Sequence, residues 1–186
     1  MTDHTRINGG GRWWRILAWG GAATLLLAPL IAMQFGDEVR WTVFDFLVAG
    51  VMLAVPLGVL ELTLRATGSL AYRASVAVAL GTALLMTWIN LAVGIIGNEN
   101  NPLNLMFFGV IAVGIVGAFV AHFRPRGMAV AMVVTALAQA AAAVVALIGG
   151  HSTVPLIGAF ALMWLFSAGL FRKAADQPSS DRVSGP

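Results

Sequence analysis

Two long stretches of this sequence, residues 74–98 and residues 127–171, contain no aspartate, glutamate, lysine or arginine. A helix of about 20 apolar residues spans the hydrocarbon of a bilayer, which is about 30 Å thick. The first stretch is long enough for one such helix, and the second is long enough for two. The chain is therefore predicted to be an integral membrane protein built from α-helices.

The composition indicates the same class of protein. Hydrophobic residues make up 59% of the 186 residues, charged residues make up 10%, and the mean hydropathy is +0.87. A soluble domain of this size needs a charged surface around its core, and this sequence does not supply one. The lack of cysteine excludes disulfides, thiolate catalysis and cysteine-ligated metals.

The sequence contains six apolar segments that are long enough to cross a membrane. They are residues 16–35, 42–64, 74–97, 105–123, 128–149 and 154–171. The short connections between them predict that neighbours in sequence pack antiparallel in a compact bundle. We therefore expect an all-α, polytopic membrane helix bundle at residues 16–172, between a flexible tail at residues 1–15 and a disordered tail at residues 173–186.

Basic residues are concentrated at the termini and in alternate loops of this six-helix arrangement. Ten of the 11 lysines and arginines share that location: Arg6, Arg12, Arg15, Arg65, Arg73, Arg124, Arg126, Arg172, Lys173 and Arg182. Cytoplasmic loops retain basic residues whereas short translocated loops lack them, so both termini are predicted to be cytoplasmic. The high pI of about 10.6 then reflects arginines beside anionic lipid headgroups, and no nucleic-acid partner is expected.

Residues 98–104, with the sequence NENNPLN, form a polar stretch between two apolar segments. Proline and asparagine favour turns, because proline fixes φ and the asparagine side chain bonds to nearby backbone. We expect this stretch to be an outer turn that ends the third helix and starts the fourth.

Two polar residues lie at similar expected depths below the outer surface, Asp45 in the second segment and Asn90 in the third. Polar side chains within a membrane span are costly and often mark function. One hypothesis is a small outward-facing pocket for a ligand or an ion, formed by Asp45 and Asn90 and roofed by Glu99 and His151. The alternative is structural: Asp45 bonds to backbone near the start of its helix, or pairs with Asn90 between two helices.

Two further polar positions are expected to be structural. Glu61 precedes Arg65 by four residues, a spacing that predicts an ion pair on one helix. Gln139 is expected about 16 Å from the start of the fifth helix, close to the middle of the membrane. An amide at that depth usually bonds to a neighbouring helix, so we expect such a bond for Gln139.

The fourth segment carries small residues at a spacing of four, Gly114 with Ala118 and Gly117 with Ala121. Small residues allow helix backbones to approach closely within a membrane. The pattern predicts tight helix packing, either inside the bundle or against a partner protein.

No pattern of catalytic or metal-binding residues accompanies these segments. The histidines lack the H-x-x-x-H and H-E-x-x-H spacings, and the sequence contains no nucleophile elbow, P-loop or dinucleotide-binding fingerprint. We therefore predict no metal, no cofactor and no enzymatic activity.

Between residue 28 and about residue 150 the chain carries four loop and interface motifs: MQFGDEVRWTVFDF, YRASVAVAL, WINLAVGIIGNENNPLNLMFFGV and FRPRGMA. In these motifs it resembles a group of small bacterial multi-pass inner-membrane proteins of unknown function. The resemblance implies a location in the bacterial cytoplasmic membrane, and it implies no activity, ligand or catalytic residue.

Two functions are compatible with these features. The first is a non-enzymatic scaffold or accessory subunit that contacts the lipid bilayer and either a protein partner or a second copy of itself. The alternative is a small transporter or ion-coupled permease that uses the pocket at Asp45 and Asn90.

Overall fold

The computed structural model describes residues 9–36 and 39–177, which form six α-helices and one short 3₁₀ helix. The α-helices are α1 (Gly9–Ala32), α2 (Val43–Ala66), α3 (Leu70–Ala92), α4 (Leu105–Val120), α5 (Pro125–Ile148) and α6 (Val154–Ala175), and the 3₁₀ helix is Pro102–Asn104. Each of the six is long and apolar enough to cross a membrane, with the 3₁₀ helix counted together with α4. The predicted all-α fold with six spanning helices is confirmed.

Several helix boundaries differ from those predicted. α1 begins at Gly9, inside the predicted tail of residues 1–15, and α6 continues to Ala175. α3 ends at Ala92, before residue 97, because Gly94 and Gly97 adopt φ angles of +74° and +69° and left-handed residues end helices. Residues 1–8 and 178–186, which make up the remainder of both predicted tails, and residues 37–38 lie outside the described residues.

The chain divides into two compact units, residues 1–61 and residues 62–186. The first unit contains α1 and most of α2. At the end of this unit, the Glu61 carboxylate on α2 accepts hydrogen bonds from two side chains of α1, Arg15 Nη2 at 2.7 Å and Trp19 Nε1 at 3.2 Å. These contacts give Arg15 and the next turn of α1 a tertiary partner on α2.

The second unit contains a four-helix bundle of α3, α4, α5 and α6. α5 packs against both α4 and α6, and α6 packs against α3. α3 contacts α6 more extensively than it contacts α4, its neighbour in sequence. Within the four-helix unit, the predicted pairing of sequence neighbours is therefore weakest between α3 and α4.

Polar and aromatic contacts account for the pairing of α3 with α6. Ser167 Oγ on α6 donates to the backbone oxygen of Ser75 on α3 at 2.9 Å. The Tyr72 ring on α3 packs edge-on against the Phe171 ring on α6, with centroids 5.1 Å apart. Two helices that share an interhelical hydrogen bond and an aromatic pair are joined by specific contacts, which lipid cannot replace.

The four-helix unit has an apolar interior and an apolar exterior. Met86, Phe107 and Phe160 are buried, whereas Leu137 and Phe166 are exposed on the outside. An apolar exterior of this extent suits lipid rather than water. Because lipid tails are as apolar as leucine side chains, close packing and hydrogen bonds hold such helices together more than apolar burial does.

Small residues bring α4 and α5 close together. A Cβ atom added at Gly117 would lie 2.8 Å from Ala131 Cβ, and one added at Gly114 would lie 3.2 Å from Thr135 Oγ1. Both contacted residues are on α5. The sequence left open whether these glycines pack inside the bundle or against a partner protein. In the structure they pack inside the bundle, against α5.

The remaining small residues of this pattern lie on the same side of α4. Ala118 and Ala121 pack against the core of the unit. A Cβ atom added at Gly127, near the start of α5, would lie 2.8 Å from Ala121 Cβ. The close approach of the two helices therefore continues to the α4–α5 turn.

Candidate functional site

The connection between α3 and α4, residues 93–104, contains several polar side chains bonded to one another and to the backbone, and is termed the asparagine turn. Its two glycines, Gly94 and Gly97, adopt the left-handed conformation. Ile95 and Ile96 between them fold back into the apolar core and are buried. The turn is thus fastened to the bundle by two apolar side chains before its polar residues begin.

Asn104 is the centre of this turn and is 4% exposed. Its Oδ1 accepts from the Ile96 N–H at 2.8 Å, and its Nδ2 donates to the Ile96 oxygen at 3.2 Å. Nδ2 also donates to the Asn98 oxygen at 2.7 Å. The amide side chain therefore pairs with Ile96 as a backbone peptide would, and it satisfies polar groups that would otherwise be buried without partners.

Asn90 joins the end of α3 to this turn. Its Nδ2 donates to the Asn104 backbone oxygen at 3.0 Å, and the residue is 3% exposed. Its Oδ1 is buried without a hydrogen-bond partner among the described residues. Asn90 Nδ2 therefore links α3 to the turn, and Asn90 Oδ1 is an acceptor without a partner among the described residues.

The tip of the turn is exposed and polar. Asn98, Glu99 and Asn100 are all exposed. Asn98 Oδ1 accepts from the Asn100 N–H at 3.0 Å, and Asn100 Nδ2 donates to Glu99 Oε1 at 3.1 Å. Asn101 Oδ1 accepts from the Leu103 N–H at 3.0 Å and so caps the 3₁₀ helix. Local side-chain bonds of this kind hold the tip in one conformation.

Asp45 lies in the first unit, where it closes the start of α2. Asp45 Oδ2 accepts from the Thr42 N–H at 2.7 Å and from Thr42 Oγ1 at 2.8 Å. The Asp45 N–H donates in return to Thr42 Oγ1 at 3.3 Å. This reciprocal arrangement is a capping box, which satisfies backbone donors at a helix start. Asp45 and Asn90 belong to different units, and the pocket predicted for them stays a prediction.

The other two residues of the predicted pocket lie in the second unit. Glu99 is exposed at the tip of the asparagine turn. His151 is half-buried in the α5–α6 turn, where its N–H donates to the Ala146 oxygen at 3.0 Å and its ring covers Gly149. Antiparallel helices place both turns at the same end of the bundle. A joint role in binding stays a prediction for these two residues.

The predicted structural pair of Glu61 with Arg65 also stays a prediction. Arg15 and Trp19, the partners that Glu61 has on α1, were not anticipated from the sequence. Their spacing of four residues on one helix face was the available signal. It carried little weight because Arg15 fell in the predicted tail.

Neutral polar side chains line the interior of the four-helix unit. Thr82 Oγ1 donates to the Val78 oxygen at 2.7 Å and Thr135 Oγ1 donates to the Ala131 oxygen at 2.8 Å, each within its own helix. Gln139 Nε2 donates to the Ile157 oxygen on α6 at 3.4 Å, which confirms the predicted interhelical bond. Within residues 9–36 and 39–177, no buried polar side chain is ionisable and no three His, Cys, Asp or Glu residues cluster as a metal site would require.

The end of the bundle opposite the asparagine turn is basic. Tyr72 Oη on α3 donates to the Phe123 oxygen in the α4–α5 turn at 2.7 Å, and Ser69 Oγ donates to Gln177 Oε1 beyond α6 at 2.7 Å. These bonds bring three chain segments together. The exposed basic residues at this end are Arg124, Arg126, Arg172 and Lys173.

The α4–α5 turn at this basic end is conformationally strained. His122 and Phe123 have φ angles of 49° and 56°. Such left-handed conformations cost roughly 1–2 kcal/mol per residue for side chains other than glycine. The bond from Tyr72 to the Phe123 oxygen fixes the turn in this conformation.

Comparison with models of known protein families, with curated proteins and with solved structures finds no match. The class of protein therefore follows from the fold alone. Six apolar spanning helices and a lipid-compatible exterior define an integral multi-pass membrane protein.

Proposed function

We propose that this protein is a non-enzymatic scaffold or accessory subunit of the bacterial cytoplasmic membrane, and that the asparagine turn is its contact surface for a partner. The observation that carries the proposal is the set of three hydrogen bonds between the Asn104 side chain and the backbone of Ile96 and Asn98. Fixing the backbone of a flexible residue costs about 1–2 kcal/mol. A turn that is already ordered avoids much of this cost when a partner binds it.

The basic end of the bundle supports an orientation for this surface. Arg124, Arg126, Arg172 and Lys173 lie at one end of the four-helix unit and the asparagine turn lies at the other. Because cytoplasmic ends retain arginine and lysine, we assign the basic end and both termini to the cytoplasm. The turn then faces the outside of the membrane.

The packing of α4 supports the choice of the turn over the glycine-containing face as the partner surface. Gly114 and Gly117 are in contact with α5. A partner helix cannot occupy the same face without displacing α5. The polar tip at Asn98, Glu99 and Asn100 is exposed and has no such competitor in the described part of the second unit.

Site-specific photo-crosslinking from the tip tests the proposal. A photoreactive amino acid at position 100 is expected to crosslink to a stoichiometric, co-purifying protein, whereas the same group at position 152, on the exposed α5–α6 turn, is the matched control. Asn104→Ala should weaken the crosslink from position 100 because the turn loses its fixed shape. Equal crosslinking from both positions, or no effect of Asn104→Ala, would contradict the proposal.

A small transporter or ion-coupled permease is the second candidate, and the residues that the sequence suggests for it are Asp45, Asn90, Glu99 and His151. The observation that favours it is Asn90 Oδ1, a buried acceptor without a described partner. Such atoms inside a membrane bundle often face a hydrated path or a bound solute.

Proteoliposomes that contain a pH-sensitive dye test this second candidate by proton flux. Asp45→Asn and Asn90→Leu are each expected to abolish the flux in protein that remains folded. Thr42→Ala is the control for Asp45→Asn, because it opens the same capping box without removing the carboxylate. Loss of flux in the control as well would assign the effect to helix capping, and wild-type flux in Asp45→Asn would exclude a role for its charge.

A further inference from the structure

Two buried polar atoms in the middle of the four-helix unit have no hydrogen-bond partner among the described residues. They are Gln139 Oε1 on α5, an acceptor, and Trp164 Nε1 on α6, a donor. Gln139 is 0% exposed and Trp164 is 3% exposed. Buried polar atoms are nearly always paired with protein or with ordered water, so these two atoms require an explanation.

The positions of Ile157 and Trp164 along α6 indicate how the Gln139 amide and the Trp164 indole are arranged. Gln139 Nε2 donates to the Ile157 oxygen, so the Gln139 amide lies beside α6 at the level of Ile157. Trp164 follows Ile157 by seven residues, which is about 10 Å along the helix and about 20° around it. Ile157 and Trp164 are both buried, and they lie on the same face of α6. Helical side chains lean towards the N-terminus of their own helix, so the indole leans from Trp164 back towards Ile157 and the Gln139 amide.

The surroundings restrict the chemistry of anything that binds between these atoms. The buried polar side chains of the described chain are all neutral, and an ion in a low-dielectric interior needs an opposite charge. A ligand there must therefore be neutral. It must also accept from Trp164 Nε1 and donate to Gln139 Oε1, so it must combine both hydrogen-bonding roles.

We propose that the α5–α6 interface binds an internal water molecule that accepts from Trp164 Nε1 and donates to Gln139 Oε1. Water is the smallest neutral molecule with both roles, and buried waters usually make about three hydrogen bonds. This water would be a structural part of the interface, and its presence does not depend on the function proposed above.

Nuclear magnetic resonance of protein with ¹⁵N-labelled tryptophan in lipid nanodiscs tests this inference. Trp164→Phe identifies the indole signal of Trp164 by its disappearance. In the wild-type protein, that indole proton is expected to show a cross-peak to a long-lived water. The lack of this cross-peak in wild-type protein would overturn the proposal, whether Trp164 is unbonded or bonds directly to Gln139.

Variants separate a bridging water from a water bound to the indole alone. Gln139→Leu, or Gln139→Met if the leucine variant does not fold, is expected to abolish the cross-peak while the indole signal remains. Ser167→Ala is the matched control on α6, because Ser167 is equally buried and its hydroxyl already donates to Ser75. It should leave the cross-peak unchanged. A cross-peak that persists in the Gln139 variants would also overturn the proposal.

Discussion

Asn104 holds Ile96 through both backbone polar groups of that isoleucine, with an Oδ1 to N distance of 2.8 Å and an Nδ2 to O distance of 3.2 Å. The pair fixes the path of the chain between α3 and α4. It also explains how a polar stretch such as NENNPLN is accommodated at the end of an apolar bundle. The same amide satisfies the backbone of buried Ile96, which lies beyond the end of α3 at Ala92 and so is not in a helix.

Replacement of Asn104 by alanine should destabilise the protein. The change leaves the N–H and the oxygen of buried Ile96 unpaired, and each unpaired buried group costs about 1–3 kcal/mol. We expect a total loss of roughly 2–4 kcal/mol, measured by thermal unfolding in detergent. Asn100→Ala, at the exposed tip, is the control and should change stability by less than about 0.5 kcal/mol. Equal melting temperatures for the two variants would refute the role of Asn104.

Alanine substitution should have unequal effects at the two left-handed glycines of the turn. A Cβ atom at Gly94 would lie 2.3 Å from the Asn98 carbonyl carbon, whereas one at Gly97 would lie 3.0 Å from the Asn101 side-chain nitrogen. Backbone cannot move aside as a side chain can. Gly94→Ala should therefore destabilise the protein by about 1–3 kcal/mol more than Gly97→Ala. The free energies of unfolding of the two variants check this difference, and the reverse order would show that the turn is not rigid.

The contact between α4 and α5 predicts a suppressor mutation. Gly117→Ala should destabilise the protein by about 1–3 kcal/mol, because the added Cβ would lie 2.8 Å from Ala131 Cβ. Adding Ala131→Gly should recover part of this loss. Gly109→Ala on the same helix is the control, since its added Cβ meets nothing within 4 Å. Free energies that are additive in the double variant would show that positions 117 and 131 are not in contact.

The ion pair between Arg15 and Glu61 should couple the two helices of the first unit. Arg15 is 49% exposed and Glu61 is 12% exposed, so solvent screens the attraction and the coupling should be only about 0.5–1 kcal/mol. A double-mutant cycle with Arg15→Gln and Glu61→Gln measures it. Trp19→Phe serves as a comparison, since it removes the second donor to Glu61 and keeps the ring. A coupling energy of zero would mean that the pair does not hold α1 to α2.

The orientation proposed for the four-helix unit can be tested by cysteine labelling, since the natural sequence has no cysteine. A membrane-impermeant maleimide should label Asn100→Cys in intact spheroplasts and should label Arg126→Cys only after the membrane is opened. Ser152→Cys should behave as Asn100→Cys does, because the two turns lie at the same end. Labelling of positions 100 and 126 from the same side would contradict the six-helix arrangement.

The features predicted correctly from the sequence depend on local properties. The length of an apolar run determines whether a helix can span a membrane, so six helices could be predicted from the sequence. An amide deep in an apolar helix has few alternatives to an interhelical bond, which is why the bond of Gln139 could be anticipated. In both cases the neighbouring residues along the chain carry enough information.

The features that were missed depend on residues far apart in sequence. No property of Arg15 or Glu61 alone indicates that α1 and α2 bring them to 2.7 Å. The sequence suggested a turn at residues 98–104, but not that Asn104 would reach back to Ile96, because that contact needs two left-handed glycines first. The position of Asp45 was compatible with a capping role, but the reciprocal bond from the Asp45 N–H to Thr42 Oγ1 depends on the conformation of the threonine side chain.

The preference of α3 for α6 has a consequence for how the protein is made. Membrane helices are inserted one after another as the ribosome elongates the chain, and they associate once they are in the bilayer. Because the main partner of α3 is α6, which is synthesised after α4 and α5, the four-helix unit cannot close until α6 has been made. A nascent chain that stalls before Val154 would lack the α6 partners of Ser75 and Tyr72, and its four-helix unit would remain open.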